Sequence, residues 1–273
     1  MQTLSIVGSG ADGVADAIAE RLDGRVATVR RTETADAVGD DPDTERPQAA
    51  APGGVDAAVD LAPDGDWAAS GVDGSFTDAL DRLAPAHDYC LVSGFSRLRL
   101  PTVVVGDAEV PGDVVRRVDD AADLDPAALA AEIDDVEPYV TLEELVARVK
   151  RSEQADRAGA IATFTGRVRA KDAPDDDRTT HLAFEKYEGV AADRLGRIER
   201  ELADRDGVLD VRLHHRVGVI EDGEDIVFVV VLAGHRREAF RAVEDGIDRL
   251  KDEVPIFKKE TTESEEFWVH DRA

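Results

Sequence analysis

Cysteine occurs once, at Cys90, which excludes an internal disulfide framework and any cysteine-based zinc cluster. Lysine is nearly as scarce, with six residues against 27 arginines, and aromatics make up only 5% of the chain. Positive charge is the minority sign: 33 basic residues face 60 acidic ones, for a formal net charge of -27. A binder of nucleic acid through a general basic surface is therefore excluded, because phosphates would be repelled over most of the molecule. No apolar run approaches the roughly 20 residues of a membrane helix, and the opening MQTLSIVGSG lacks the pattern of a signal peptide. These absences point to a soluble, cytoplasmic protein.

What is present completes the picture. The 273 residues suffice for two domains, and 42% apolar content supports a core in each. Abundant Asp and Ala with little Lys is the composition of a halophilic protein, whose hydrated carboxylate surface resists association in concentrated salt. The charge is uneven: residues 1–150 carry 31 acidic and 12 basic groups, whereas 151–273 carry 29 and 21, with five of the six histidines. Lys251, Lys258 and Lys259 place half of all lysines within nine residues. A merely solvated basic stretch would be written with Arg in this background, so these positions call for an amine.

The pattern divides the chain into an α/β first domain over 1–137 and an α+β second domain over 138–273. The first opens as βαβ, with strands at 2–7 and 25–30 around a helix at 12–22. A loop-rich stretch follows over 32–74. A helix near 75–84 and strands at 88–92 and 101–105 complete a small parallel sheet, and 111–138 reads as short acidic helices and a connector. In the second domain Thr141 and Glu144 form a capping box for a helix to about Arg151. Strands are expected at 159–170, 181–188, 208–220 (two), 224–233 and 256–261, with helices at 190–205 and 235–253. The whole is a mainly antiparallel sheet covered by helices.

Gly8, Gly10 and Gly13 lie between a strand and a helix. The frame fits a P-loop except that Val14 and Ala15 stand where lysine and hydroxyl are required. It also fits a dinucleotide fingerprint, with Glu33 twenty residues beyond Gly13. A tight turn that needs glycine for backbone reasons is the third reading. Against both phosphate readings, Asp12 puts a carboxylate inside the cradle. The run HDYCLVSGFSRLRLPTVVV (87–105), with the opening, resembles the molybdopterin-guanine dinucleotide biosynthesis adaptor family, a P-loop group. That family usually has an acid before the glycine of the GF pair, where this chain has Ser93. The resemblance implies a degenerate nucleotide domain retained for assembly.

The second domain gathers cations at the ends of its elements. Arg167 and Arg169 flank Val168 at a strand terminus and share a face. His215 and Arg216 precede a strand turn, and His235, Arg236 and Arg237 stand at the start of a long helix, where anions are favoured. Lys251 ends that helix, and Lys258 and Lys259 follow Pro255. Converging cations on so acidic a chain point to a small anionic substrate. The spacing of His214, His215 and His235 suits no metal, and no metal or cofactor is expected.

The segments GAIATFTGRVR, FEKYEG, HHRVGVI, EDIVFVVVLAGHRREAF, LKDEVPIFKKE and FWV closely resemble the catalytic large subunit of molybdopterin synthase over about 139–273. The resemblance implies conversion of cyclic pyranopterin monophosphate to molybdopterin, a sulfur transfer that builds a dithiolene. It implies a partner, a small ubiquitin-fold subunit whose C-terminal thiocarboxylate supplies the sulfur, and a homodimer within a heterotetramer. On this resemblance Lys251 and Lys258 are the catalytic residues, and Arg169, His235 and Arg236 bind the substrate. Arg167, Arg216 and Lys259 are weaker binding candidates, and the DAPDDD segment after Lys171 is an insert. The alternative is a nucleotide-binding or scaffold protein that couples this step to later nucleotide attachment.

Overall fold

The computed structural model describes residues 1–31, 57–65, 67–71 and 74–269. The chain divides into two compact units, Met1–Tyr139 and Val140–Ala273. The expected loops over 32–56, Glu33 and His270 lie outside the described residues.

The first unit runs β1 (Gln2–Gly8), α1 (Ala11–Ala19), β2 (Val26–Arg30), β3 (Ala57–Leu61), β4 (Trp67–Gly71), α2 (Phe76–Leu83), β5 (Tyr89–Ser93), β6 (Thr102–Val105), β7 (Val114–Val118) and α3 (Pro126–Glu132). Its sheet is parallel throughout, in the order β2-β5-β1-β6-β7. Strands covered on both faces read as continuous apolar runs, and β1, β5 and β6 are buried nearly end to end. One face packs Leu4, Ile6, Leu91 and Val103 against Val14 and Ile18 of α1 and Leu129 of α3. The other packs Ala27, Cys90 and Val92 against Leu80 and Ala84. Ser75 caps α2 reciprocally: its Oγ accepts from the Asp78 N–H at 3.1 Å and its own N–H donates to Asp78 Oδ2 at 3.0 Å.

Two expectations need correction here. The connector expected over 111–138 contains β7, which adds to the sheet edge. Part of the stretch expected as loop is the antiparallel β3–β4 hairpin.

The second unit runs α4 (Leu142–Lys150), β8 (Ala160–Arg167), β9 (Thr179–Lys186), α5 (Glu188–Ala203), β10 (Val208–His215), β11 (Gly218–Glu221), β12 (Asp225–Ala233), α6 (Arg236–Glu253), β13 (Ile256–Thr262) and β14 (Glu266–Val269). Its strands form two antiparallel sheets, β10-β12-β8 and β11-β9-β13-β14, where one sheet was expected. The alternation along β12 explains its unbroken apolar run. Val227, Val229, Val231 and Ala233 face α5 and α6, while Phe228, Val230 and Leu232 face α4. Thr141 caps α4 by accepting from the Glu144 N–H at 3.1 Å. Among the described residues no helix is long and apolar enough to cross a membrane.

Candidate active site

The sheet β10-β12-β8 determines where the cations of the second unit stand. Asp225 of β12 pairs with Arg167 of β8, and Ala233 pairs with Ala160. Arg167 and Arg169 therefore leave the sheet at the end where β12 begins, and His235 leaves it at the opposite end, about 26 Å away at the rise of a strand. Helix α6 repeats the separation. His235 is its N-cap and Lys251 lies in its last turn, so Arg236 and Lys251 are about 22 Å apart at 1.5 Å per residue. Val254 and Ile256 pack into the same core as α6 and β12, and Ile256 also joins the cluster beneath β9.

The candidate residues thus form two groups. Lys251, Lys258, Lys259, Arg167, Arg169 and Arg216 sit on elements that meet at or follow the C-terminal end of α6. His235 and Arg236 stand at its N-terminal end, both exposed.

Within the first group the side chains differ in what they touch. Lys251 is exposed and Lys258 half-buried, with Lys258 opposite Phe184 of β9 and Val269 of β14. Neither lysine has an ion-pair partner among the described residues, so both amines are available to a ligand. Lys259 is paired with Glu266 and lies 5.8 Å from the Trp268 ring centroid. Arg167 lies 3.3 Å from Asp225 and donates to the Gly223 carbonyl, fixing the β11–β12 turn. Arg216 donates to the Asp225 and Val140 carbonyls, each at 3.3 Å, with its guanidinium carbon 5.3 Å from the Phe228 ring centroid. Arg169 reaches Asp172 at 2.9 Å on an exposed surface. Of the three arginines, Arg169 is the one that, among the described residues, is held only by a side chain of the acidic insert; the other two fasten backbone.

The site also contains Lys186, which the sequence pattern did not single out. Lys186 ends β9 opposite Ile256, and its charge reaches His214 and His215 on β10. Burial pushes His214 down to about 3, helped by Arg216, Lys186, His215 and Arg148. Burial likewise pushes His215 down to about 4, against the bond its Nδ1–H donates to the Arg216 carbonyl at 2.6 Å. Both imidazoles are neutral at pH 7, so the positive charge here resides on lysine and arginine. The signal for Lys186 was present: in a chain with six lysines, the amine in FEKYE merited the same attention as the C-terminal trio.

The glycine loop of the first unit lies at the carboxyl end of β1. Gly8 has φ +115°, and a Cβ there would lie 1.9 Å from the Val105 carbonyl oxygen. Gly10 is the left-handed N-cap of α1, with φ +77°. Ser93 Oγ donates to the Asp12 carboxylate, so an internal anion occupies the mouth of the cradle. Gly13 has open space around its Cα. Cys90 is fully buried, and burial pushes its thiol up to about 12. Among the described residues no group of three His, Cys, Asp or Glu side chains could hold a metal ion.

Residues 137–253 match the family described as MoaE protein. A probable molybdopterin synthase of Haloferax volcanii is 57% identical over 272 residues, covering all of both chains. The chain belongs to the molybdopterin synthase family. Membership places it in molybdenum cofactor biosynthesis, among sulfur-transferring enzymes. The molybdopterin synthase catalytic subunit of Pyrococcus abyssi is 38% identical over 128 residues, 47% of this chain and 82% of that one. A solved structure of molybdopterin cofactor biosynthesis protein E from Burkholderia multivorans is 36% identical, covering 49% of this chain and 84% of that one, with a TM-score of 0.40. The Haloferax synthase spans both units, so the first unit recurs in that relative.

Proposed function

We propose that the chain is the catalytic subunit of a molybdopterin synthase. It moves sulfur from the C-terminal thiocarboxylate of a small ubiquitin-fold partner onto cyclic pyranopterin monophosphate, forming the dithiolene of molybdopterin. The observation that carries this reading is the pair of amines Lys251 and Lys258, without an ion-pair partner among the described residues, on consecutive elements of a chain that otherwise avoids lysine. An amine free of ion pairs can exchange a proton with the reacting centre or attack an activated acyl carbon. A buried thiol at Cys90 suits this division of labour, since the sulfur arrives on the partner.

In this reading Arg169 binds the substrate's anionic group beside the lysines. His235 and Arg236, at the far end of α6, lie too distant to share one small ligand with Lys251 of the same chain. This separation supports a homodimer in which a second copy brings its own His235 and Arg236 to the lysines. The parallel sheet and glycine turn of the first unit support a degenerate adaptor-like domain that serves assembly and does not hydrolyse nucleotide.

The test is a reconstituted reaction of the full chain with thiocarboxylated small subunit and cyclic precursor. Loss of dithiolene formation in both Lys251→Ala and Lys258→Ala is the expected result, and full activity in both overturns the reading.

A further inference from the structure

The insert that interrupts the β8–β9 connection is a built loop. The Thr179 N–H donates to the Ala170 carbonyl at 2.8 Å, closing its base. The Ala173 N–H donates to Asp176 Oδ2 at 2.7 Å, forming its tip. Arg178 pairs with Asp222, the Glu263 N–H donates to the Arg178 carbonyl at 3.0 Å, and Ser264 donates to Asp177. These bonds tie the insert to the β11–β12 and β13–β14 turns. Asp172, three residues from Arg169, is therefore held where its carboxylate meets the Arg169 guanidinium at 2.9 Å.

We propose that Asp172 is an intramolecular counter-ion of the substrate-anion site and sets the salt dependence of substrate affinity. The proposal rests on the reading of Arg169 as a substrate ligand. Asp172 occupies the guanidinium face that an incoming phosphate needs, so binding is an exchange of one anion for another. Both side chains are about three-quarters exposed, and an exposed pair is weak enough for a phosphate to displace. Salt weakens it further: the screening length falls from about 10 Å at 0.1 M to about 3 Å at 1 M. In concentrated salt Asp172 releases Arg169, and in dilute salt it competes with substrate. The carboxylates of this insert thus tune the affinity of a site on a chain whose composition is halophilic.

Steady-state kinetics of the full chain with its small subunit test this at two salt levels. One is the lowest salt at which the wild-type circular-dichroism spectrum is intact; the other is about 1 M or above, where screening is short-ranged. At the lower salt Asp172→Asn is expected to lower KM for the cyclic precursor about two- to five-fold, the scale of an exposed pair. The effect falls on KM and not on kcat, shrinks at the higher salt, and is absent in Asp172→Glu. Inorganic phosphate, as a competitive inhibitor, is expected to bind more tightly to Asp172→Asn by the same factor. Equal KM for Asp172→Asn and wild type at low salt overturns the counter-ion role. Arg169→Gln separates the two layers: it raises KM and removes the Asp172→Asn effect if Arg169 is a ligand. If Arg169→Gln leaves KM unchanged, the reading of Arg169 itself fails.

Discussion

The rings of His215 and Phe184 pack edge to face, with centroids 4.8 Å apart and planes at 71°. One residue belongs to β10 of the three-stranded sheet and the other to β9 of the four-stranded sheet, so this contact joins the two sheets beneath the candidate site. Its neighbour His214 stacks on Phe228, centroids 6.3 Å apart. It is burial among these rings, which strips water from the imidazoles, that favours their neutral form.

Acid is therefore expected to loosen the second unit. The folded pKa values of His214 and His215, about 3 and about 4, lie below the ordinary 6.5. Between these values the unfolded chain binds protons that the folded chain excludes, so stability falls as pH drops through 6.5. The loss at pH 4.5 is at most on the order of 2–3 kcal/mol for each histidine. Glu199, whose carboxyl is raised by burial, works in the opposite direction in the window just above its ordinary value, where the folded chain holds a proton that the unfolded chain has lost. Denaturant melts at pH 7 and pH 5 check the slope, and His214→Phe should flatten it; an unchanged slope would refute the assignment.

Cys90 is expected to be inert. A thiol pushed up to about 12 by burial holds almost no thiolate at pH 7. Native protein should therefore resist a thiol reagent until denaturant exposes the residue. Cys90→Ala should cost on the order of 1–2 kcal/mol through a small cavity beside Leu80 and Val92. Sulfur transfer by that variant should match wild type, and a loss of turnover with the fold intact would contradict a partner-borne sulfur.

The glycine loop predicts opposite outcomes for two glycines. At Gly8 a methyl group would meet the Val105 carbonyl at 1.9 Å, in a backbone region that L residues avoid. Gly8→Ala should cost about 3 kcal/mol or more. Gly13 lies inside α1, and a Cβ there would meet no atom of the described residues within 4 Å, so Gly13→Ala should stabilise by about 0.5–1 kcal/mol. A phosphate cradle would need both glycines, whereas a turn filled by Asp12 needs only the first two of the motif. Calorimetry with GTP, ATP and NAD(P) should show no binding heat.

How far this was legible varies with the range of the interactions. Helix α6 and strand β12 could be read directly, because a 3.6-residue period and an unbroken apolar run are local signals. Strand β7 could not. Its VVRRV has no clean alternation, since Arg116 turns to Glu132 at 2.8 Å and Arg117 to the Gly106 carbonyl at 2.9 Å. The division into two sheets was also hidden, because strand membership depends on partners distant in sequence. At the site, the scarcity of lysine drew attention to Lys251, Lys258 and Lys259 alike, and only the family resemblance set the first two apart. That Arg167 and Arg216 fasten the turn from Gly223 to Asp225 required the tertiary structure. The separation of His235 and Arg236 from the lysines was legible in principle, since the length of the helix alone imposes it.

The two lysines carry the sharpest expectation. Lys251 is exposed in the last turn of α6, where its charge opposes the helix dipole only modestly, so Lys251→Ala should change stability by less than about 0.5 kcal/mol. Lys258 is half-buried on β13 between β9 and β14, and Lys258→Ala should cost somewhat more, on the order of 1 kcal/mol. Neither effect can account for the loss expected in turnover, about 10²- to 10⁴-fold for a group that moves a proton in the transition state. Arginine at either position keeps the charge but cannot act as a base near pH 7. Lys251→Arg and Lys258→Arg should therefore bind substrate and remain nearly inactive. Binding by fluorescence and turnover by dithiolene formation separate the two roles. Arginine variants that recover wild-type turnover would reduce these lysines to electrostatic ligands.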